Sequence, residues 1–140
     1  MPDLPPLTLR DYQDAAALRA ALRTFMRRTE LLAATHGLTP QRQQLLLLIK
    51  GAPDGSERAT VSDLADRLQL AKNTVTELVT RAEQAGLLVR RQAPHDGRVA
   101  WVTLTPEGER RLSGTVAALR RDRNALITAI ASLDGAGEAV

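Results

Sequence analysis

The chain has 140 residues, no Cys and a formal net charge of +3, and all but two of its 19 basic residues are Arg. This length favours one domain, and the lack of Cys excludes disulfides, thiol redox sensing and thiolate metal sites. The basic balance favours a polyanionic partner, nucleic acid first. Because there is neither a long apolar run nor a basic-then-apolar leader, we expect a cytoplasmic protein without a transmembrane helix or signal peptide.

Two helices are predicted in the first 50 residues. After a Pro-rich lead, apolar residues recur at spacings of three and four from Leu18 to Ala33, which indicates one amphipathic helix that ends at Gly37. Thr39-Pro40 begins the next helix, with Thr as N-cap and Pro at the first helical position. Residues 45–49 are apolar on nearly every face of that helix, which predicts a central, buried position.

A helix-turn-helix is predicted after a loop at residues 51–56. Thr60 and Asp63 form a capping box for a short helix through residue 68, and a second helix follows over about residues 73–85, closed by Gly86. Two short helices can cross around a small apolar core. The residues with the required spacing are Leu64, Ala65, Leu68, Leu70, Val75, Leu78 and Val79.

The outer face of the second helix is polar. In a helix-turn-helix, the first residues of this helix reach base edges in the major groove, and Thr can hydrogen-bond a base or contact a thymine methyl. On this helix alone, however, a solvated amphipathic face is the stronger interpretation, because the pattern is weakly specific. The candidate DNA-binding residues are Lys72, Asn73, Thr74, Thr76, Glu77, Thr80 and Arg81.

A β-hairpin with a basic tip is predicted next. Residues 88–92 and 99–103 have the pattern of paired strands around a turn at 93–97, and residues 58–61 offer a short third strand. Gly97 permits a turn with positive φ, and Asp96 can accept hydrogen bonds that stiffen the tip. Arg98 then projects outward, where the negative potential of a narrow minor groove attracts Arg. The alternative is a turn with a surface ion pair, and further candidates for DNA contact are Arg91 and His95.

Two more helices are predicted at the end of the chain. Thr105-Pro106 repeats the pattern of an N-cap followed by Pro, and a second helix follows before residues 134–140, which we expect to fray. The apolar stripes of the first and last helices exceed what one small domain covers, which predicts a homodimer interface. The alternative is that both ends pack within one chain. The residues of this stripe are Leu18, Leu22, Phe25, Leu126, Ile127, Ile130 and Leu133.

Together these segments resemble the MarR family of winged helix-turn-helix regulators. The match covers about residues 10–130 in organisation, and its most specific part is the motif at 96–108. The resemblance implies a mainly α (α+β) fold in one structural domain. A winged helix-turn-helix, residues 37–105, would be flanked by dimerisation helices from both chain ends, residues 1–36 and 106–140.

The resemblance also implies a function. It implies a homodimeric transcriptional regulator that binds a pseudo-palindromic operator in double-stranded DNA, with Arg98 in the minor groove. Many relatives are repressors released by a small molecule, for which the candidate contacts here are Arg23, Arg27 and Phe25. Ala71 stands where the family often has Ser, so we expect Asn73 to cap the recognition helix. Ala82 replaces a common Leu, which we expect to loosen the packing beneath that helix.

Other classes of function fit the sequence less well. His36 and His95 are far apart, no Gly-rich phosphate loop is present, and Asp63 and Asp66 suit the first turn of a helix, so we expect no catalysis, cofactor or metal. The alternative is a winged-helix protein-interaction module that does not bind DNA. The distinguishing feature is whether Lys72, Arg81 and Arg98 lie on one exposed face.

Overall fold

The computed structural model describes residues 4–93 and 95–137, and the order of elements predicted from the sequence is confirmed. Within these residues, two strands, β1 (Leu88–Ala93) and β2 (Asp96–Leu104), form an antiparallel hairpin. No described helix is long and apolar enough to span a bilayer. The helices are α1 (Leu9–Thr35), α2 (Pro40–Lys50), α3 (Val61–Leu68), α4 (Lys72–Gln84), α5 (Pro106–Ala118) and α6 (Arg120–Gly137).

Threonine N-caps begin four of these helices. The hydroxyl of each accepts a hydrogen bond from a backbone N–H in the first turn, which satisfies a donor that the helix leaves free. The helix α4 begins differently, because its N-cap Ala71 has no side-chain oxygen. The prediction that Asn73 caps α4 is wrong: Asn73 lies within the first turn, and its Oδ1 accepts from the adjacent Thr74 N–H at 3.0 Å. The capping threonines are Thr8, Thr39, Thr60 and Thr105.

The main core lies between α2, α3, α4 and the base of the hairpin. Its side chains are aliphatic, and Ala82 is fully buried among them. The expectation that residues 45–49 are buried on nearly every face is wrong at Leu47, which is 41% exposed. The predicted third strand is reduced to a single bridge between Ala59 and Val102. The largest fully buried apolar side chains are Leu45, Leu46, Ile49, Leu64, Leu87, Leu88, Val75, Val79 and Val102.

The helices α1 and α6 form a second layer on the other side of α2 and α5. They pack along each other, and an ion pair of 3.2 Å joins Arg28 to Asp122 across 94 positions of sequence. Ala33 is the one described residue of these two helices that is fully buried. The layer therefore leaves most of its apolar side chains accessible.

Candidate nucleic-acid interface

The helix-turn-helix is formed by α3 and α4, joined by residues 69–71. Leu64 on α3 and Val75 and Val79 on α4 are completely buried between the helices. Gln69 makes the turn possible by adopting a left-handed φ of 57°, a conformation that non-glycine residues adopt infrequently. Leu70 has the spacing of a core residue but is 43% exposed, because it lies in this turn.

The outer face of α4 presents the polar side chains expected from the sequence. Lys72, Asn73, Thr74, Thr76, Glu77 and Arg81 are exposed, whereas Thr80 is half-buried. The reason is its position beside the wing: the Thr80 hydroxyl accepts a hydrogen bond of 3.1 Å from Nη2 of Arg90 in β1. The accessible part of this face is therefore its N-terminal two turns, together with Arg81.

Hydrogen bonds within α4 restrict what its threonines can offer to a ligand. The Thr76 hydroxyl donates to the Lys72 carbonyl at 2.9 Å, and the Thr80 hydroxyl donates to the Thr76 carbonyl at 2.9 Å. A hydroxyl has one proton to donate and two lone pairs. In this conformation Thr76 can accept a hydrogen bond from a base amino group or contact a thymine methyl, but it has no proton left to donate.

The acidic residue on this face is paired with a basic one. The Glu77 carboxylate contacts Nη2 of Arg81 one turn later at 2.5 Å, and both side chains are more than 60% exposed. A surface ion pair of this kind contributes little to stability. Arg81 can therefore exchange Glu77 for a phosphate at small cost, and Glu77 can accept from a cytosine amino group.

The two faces of the hairpin have different roles. On one face, Leu88 and Val102 are buried against the core. Arg90 on the same face reaches back to α4, where its Nη2 lies 3.8 Å from Oε1 of Glu83. Arg91 lies opposite Trp101 on the outer face and is exposed. The hairpin thus packs on α4 with one face and presents basic and aromatic side chains on the other, as a wing does.

The tip of the wing differs from the predicted turn. Ala93 pairs with Asp96 after a register shift, so the strands extend further than expected. Gly97 lies in β2 and lacks the predicted positive φ. It falls in the bulge between the Gln92–Ala100 and Ala93–Asp96 pairs, not in a left-handed turn. His95 and Arg98 are exposed, and Arg98 borders a hollow against the start of α3. Pro94 and the Asp96 side chain lie outside the described residues, so stiffening by Asp96 stays a prediction.

The wing is anchored at its base by the start of α5. The Thr105 hydroxyl donates to the Gly86 carbonyl at 2.6 Å, and the Thr105 N–H donates to the Leu87 carbonyl at 3.1 Å. Gly108 packs against the same backbone, because a Cβ there would lie 2.0 Å from the Leu87 carbonyl oxygen. Residues 105–108, the end of the motif at 96–108, therefore dock α5 beneath the wing.

Sequence reasoning missed two basic residues near this surface. Arg42 lines a small hollow together with Arg81, between the start of α2 and α4. The guanidinium of Arg58 lies over the Trp101 ring, 4.1 Å from its centroid. The only local signal for Arg58 was its place in the segment predicted as a third strand, and its partner is distant in sequence.

A cleft of about 270 Å³ lies between the α1–α6 layer and α2. Phe25, a predicted ligand contact, lines it, whereas Arg23 and Arg27 do not line it and Arg123 of α6 does. The cleft is lined by apolar side chains, including Leu47, and by the side-chain amides of glutamines in α2. Of the three predicted contacts, the structure brings only Phe25 to this cleft.

Comparison with known proteins relates this arrangement to one family. The sequence model of the MarR family matches residues 36–99. A putative transcriptional regulatory protein for the hcr operon of Thauera aromatica is 30% identical over 102 residues, which are 73% of this chain and 57% of that protein. The chain spans about half the length of the curated relatives it matches.

Two solved structures have the same fold. AbsC, a MarR family transcriptional regulator from Streptomyces coelicolor, superposes with a TM-score of 0.72 at 24% identity, over 95% of this chain and 93% of AbsC. A mutant of MarR from E. coli, complexed with operator DNA, superposes with a TM-score of 0.68 at 17% identity, over 89% of this chain and 90% of that one. Residues 36–99 thus resemble the MarR family in sequence, and the chain shares the winged helix-turn-helix fold of these two structures.

Proposed function

We propose that this protein is a sequence-specific, double-stranded DNA-binding transcriptional regulator and not an enzyme. The observation that carries the proposal is the pairing of two exposed polar surfaces on one core: the outer face of α4 and the outer face of the wing. The MarR structure with operator DNA supports it by showing this fold on DNA. The relatives it matches come from bacteria, whose DNA lies in the cytoplasm, and we therefore propose that location too.

The two surfaces suit different parts of DNA. The first two turns of α4 offer Asn73, Thr74 and Thr76 to base edges in the major groove, and Lys72 and Arg81 to phosphates. Arg98 at the wing tip suits the narrow minor groove, where negative potential is enhanced. Base contacts by α4 would specify sequence, and the wing would add shape readout and position.

The proposed active form is a homodimer. In α1 and α6, Leu22 is 39% exposed, Ile127 58% and Ile130 42%, and contiguous apolar area of this kind on a protein surface usually marks an interface. A two-fold dimer would present two recognition helices to two half-sites, separated by about 34 Å along the DNA. Such an operator would be pseudo-palindromic.

Control by a small molecule is the finer part of the proposal. The cleft that Phe25 and Leu47 line has an apolar wall with amide groups and Arg123 at its edge. A ligand with an apolar body and one or two hydrogen-bonding groups would suit it. A ligand that binds better to one separation of the recognition helices would shift the population away from DNA binding, as expected for a repressor.

Anisotropy titration tests the proposed function. The probes are labelled duplexes from the region upstream of the chain's own gene and scrambled duplexes of equal composition. We expect binding at least about a thousandfold tighter to one upstream duplex than to its scrambled version, the lower end of the range for specific regulators. Equal binding to all duplexes would contradict sequence-specific recognition, and binding to none would favour the alternative of a protein-interaction module.

A further inference from the structure

The base of the wing carries a cation–π contact between Arg58 and Trp101. The guanidinium carbon of Arg58 lies 4.1 Å from the centroid of the Trp101 ring, within the distance of about 6 Å at which such contacts are attractive. Trp101 is half-buried in β2, and Arg58 lies in the loop before α3. The contact therefore joins the wing to the segment that leads into the helix-turn-helix.

The backbone on both sides of Arg58 is held in place. Before it, Glu57 adopts a left-handed φ of 57° while its carboxylate contacts Nζ of Lys50 at 2.7 Å. After it, Ala59 exchanges two backbone hydrogen bonds with Val102, of 3.2 and 2.8 Å. Non-glycine residues hold a left-handed conformation where surrounding contacts compensate for the strain. The loop thus presents the Arg58 side chain in one direction, toward the wing.

The contact joins the strand that carries Arg98 to the segment that leads into the helix-turn-helix. Arg98 precedes Trp101 by three positions in β2, and α3 begins three positions after Arg58. We propose that Arg58 is a positioning residue: its stacking on Trp101 fixes the wing relative to the helix-turn-helix and so sets where Arg98 meets DNA. The proposal rests on the proposed function and names the residue that aligns its two surfaces.

Two other roles for Arg58 lead to different expectations. As a direct phosphate contact, Arg58 would contribute charge whether or not Arg98 is present. As a solvated surface side chain, it would influence neither the wing nor DNA affinity. The three roles separate in two measurements, one on Trp101 and one on DNA.

The first measurement uses Trp101, which is the only tryptophan of the chain. Its emission maximum and its quenching by acrylamide, a neutral quencher, are compared among the wild-type protein, Arg58→Ala and Arg58→Lys. The control is Arg120→Ala, which removes an exposed Arg at the start of α6. We expect a red-shifted maximum and stronger quenching in Arg58→Ala, partial restoration by Lys, which lacks the planar guanidinium, and no change in the control. Unchanged emission and quenching in Arg58→Ala would overturn the contact.

The second measurement is a double-mutant cycle on DNA. Affinity and its salt dependence for the upstream duplex are measured for Arg58→Ala, Arg98→Ala and the double variant. We expect Arg58→Ala to weaken binding by about two- to fivefold, the range for an exposed cation–π contact. We expect little further loss, and no change in salt slope, when Arg98 is already Ala, because residues that act through one another are not additive.

The outcomes distinguish the proposals. Equal losses in both backgrounds, with the salt slope lowered by about one, would identify Arg58 as a phosphate contact and overturn the positioning role. Equal affinity of Arg58→Ala and the wild-type protein would overturn the positioning role alone. If the wild-type protein bound no duplex, the proposed function would fail and the positioning role would fail with it.

Discussion

The helix-turn-helix core and the α1–α6 layer differ in how their apolar side chains are covered. In the core, Leu64, Val75 and Ile49 are completely buried by residues of the same chain. In the layer, Ile127 and Ile130 stay 58% and 42% exposed, although α1 and α6 pack along each other. One chain completes its own helix-turn-helix core, whereas in the proposed dimer the layer is completed by a second copy. Stability and assembly should therefore respond separately to substitution.

An Ile→Asp substitution in each region should give the largest effects and should separate folding from assembly. Ile49→Asp puts a carboxylate into the aliphatic core, where burial of an unpaired charge is prohibitive, so we expect loss of the folded state. Ile127→Asp puts it on an exposed face, so we expect a folded chain, with the dimer dissociation constant raised at least about tenfold. Circular dichroism checks folding, and sedimentation distinguishes a species of 15.2 kDa from one of twice that mass.

A wild-type protein that sediments as a single chain at micromolar concentration would reject the dimer. An unfolded Ile127→Asp variant would show instead that α1 and α6 depend on this side chain within one chain. Either result would remove the distinction between the two regions.

The docking of α5 beneath the wing offers the next largest effect. In Gly108→Ala the new Cβ would lie 2.0 Å from the Leu87 carbonyl oxygen, so backbone must shift. We expect the free energy of unfolding to fall by at least about 2 kcal/mol, within the range for overpacking. Gly97→Ala is the matched control, because its nearest neighbour is 3.8 Å away and its φ is not left-handed. Chemical denaturation of both variants checks this, and an equal loss of stability would contradict the packing argument.

Smaller effects are expected on DNA binding when single residues of the two proposed DNA surfaces are replaced. Arg98→Ala should weaken binding to the upstream duplex by about five- to thirtyfold and lower the salt slope by roughly one, while the fold stays intact. Thr76→Ala should instead relax the preference among base sequences, because base contacts carry specificity. Anisotropy at several salt concentrations measures both. An Arg98→Ala variant with wild-type affinity and slope would remove the wing tip from the interface.

The smallest effect concerns an exposed ion cluster at the start of α5. Hydrogen bonds from Arg110, and then from Arg111, lower the pKa of Glu107 from 4.5 to about 2. A depressed carboxyl pKa stabilises the folded state above the unfolded value, and this contribution is lost as the pH falls from about 4.5 through about 2. Glu107→Gln should therefore be slightly less stable than wild type at pH 7, and the difference should vanish near pH 2. A difference that stays constant over this range would contradict the assignment.

The elements were predictable from sequence where their signals are local. Thr39, Thr60 and Thr105 each precede a helix by one residue and cap it as expected. Asn73 misled because a short amide can bond its own neighbour instead of capping the helix. At Gly97 the residue type permitted a left-handed turn, but the strands extend to the Ala93–Asp96 pair and Gly97 lies in a bulge of β2 without a positive φ.

Features that depend on packing between distant segments were not predictable. Leu47 belongs to an apolar run, yet it is 41% exposed because it borders the cleft between α2 and the α1–α6 layer. Arg58 and Trp101 are joined only by the fold, and Arg123 enters the cleft from a helix far along the chain. The candidate DNA contacts on α4 could be predicted from the sequence because helical periodicity places them on one face of that helix.

Hydroxyl-radical footprinting of the upstream duplex tests the central claim most directly, because it reports on the reading unit and on the dimer together. The account predicts two protected half-sites whose centres lie one helical turn apart, about 34 Å, with added minor-groove protection where each wing lies. In Arg98→Ala the minor-groove protection should disappear first. A single protected half-site, or no protection at protein concentrations at which the chain is fully dimeric, would contradict the account.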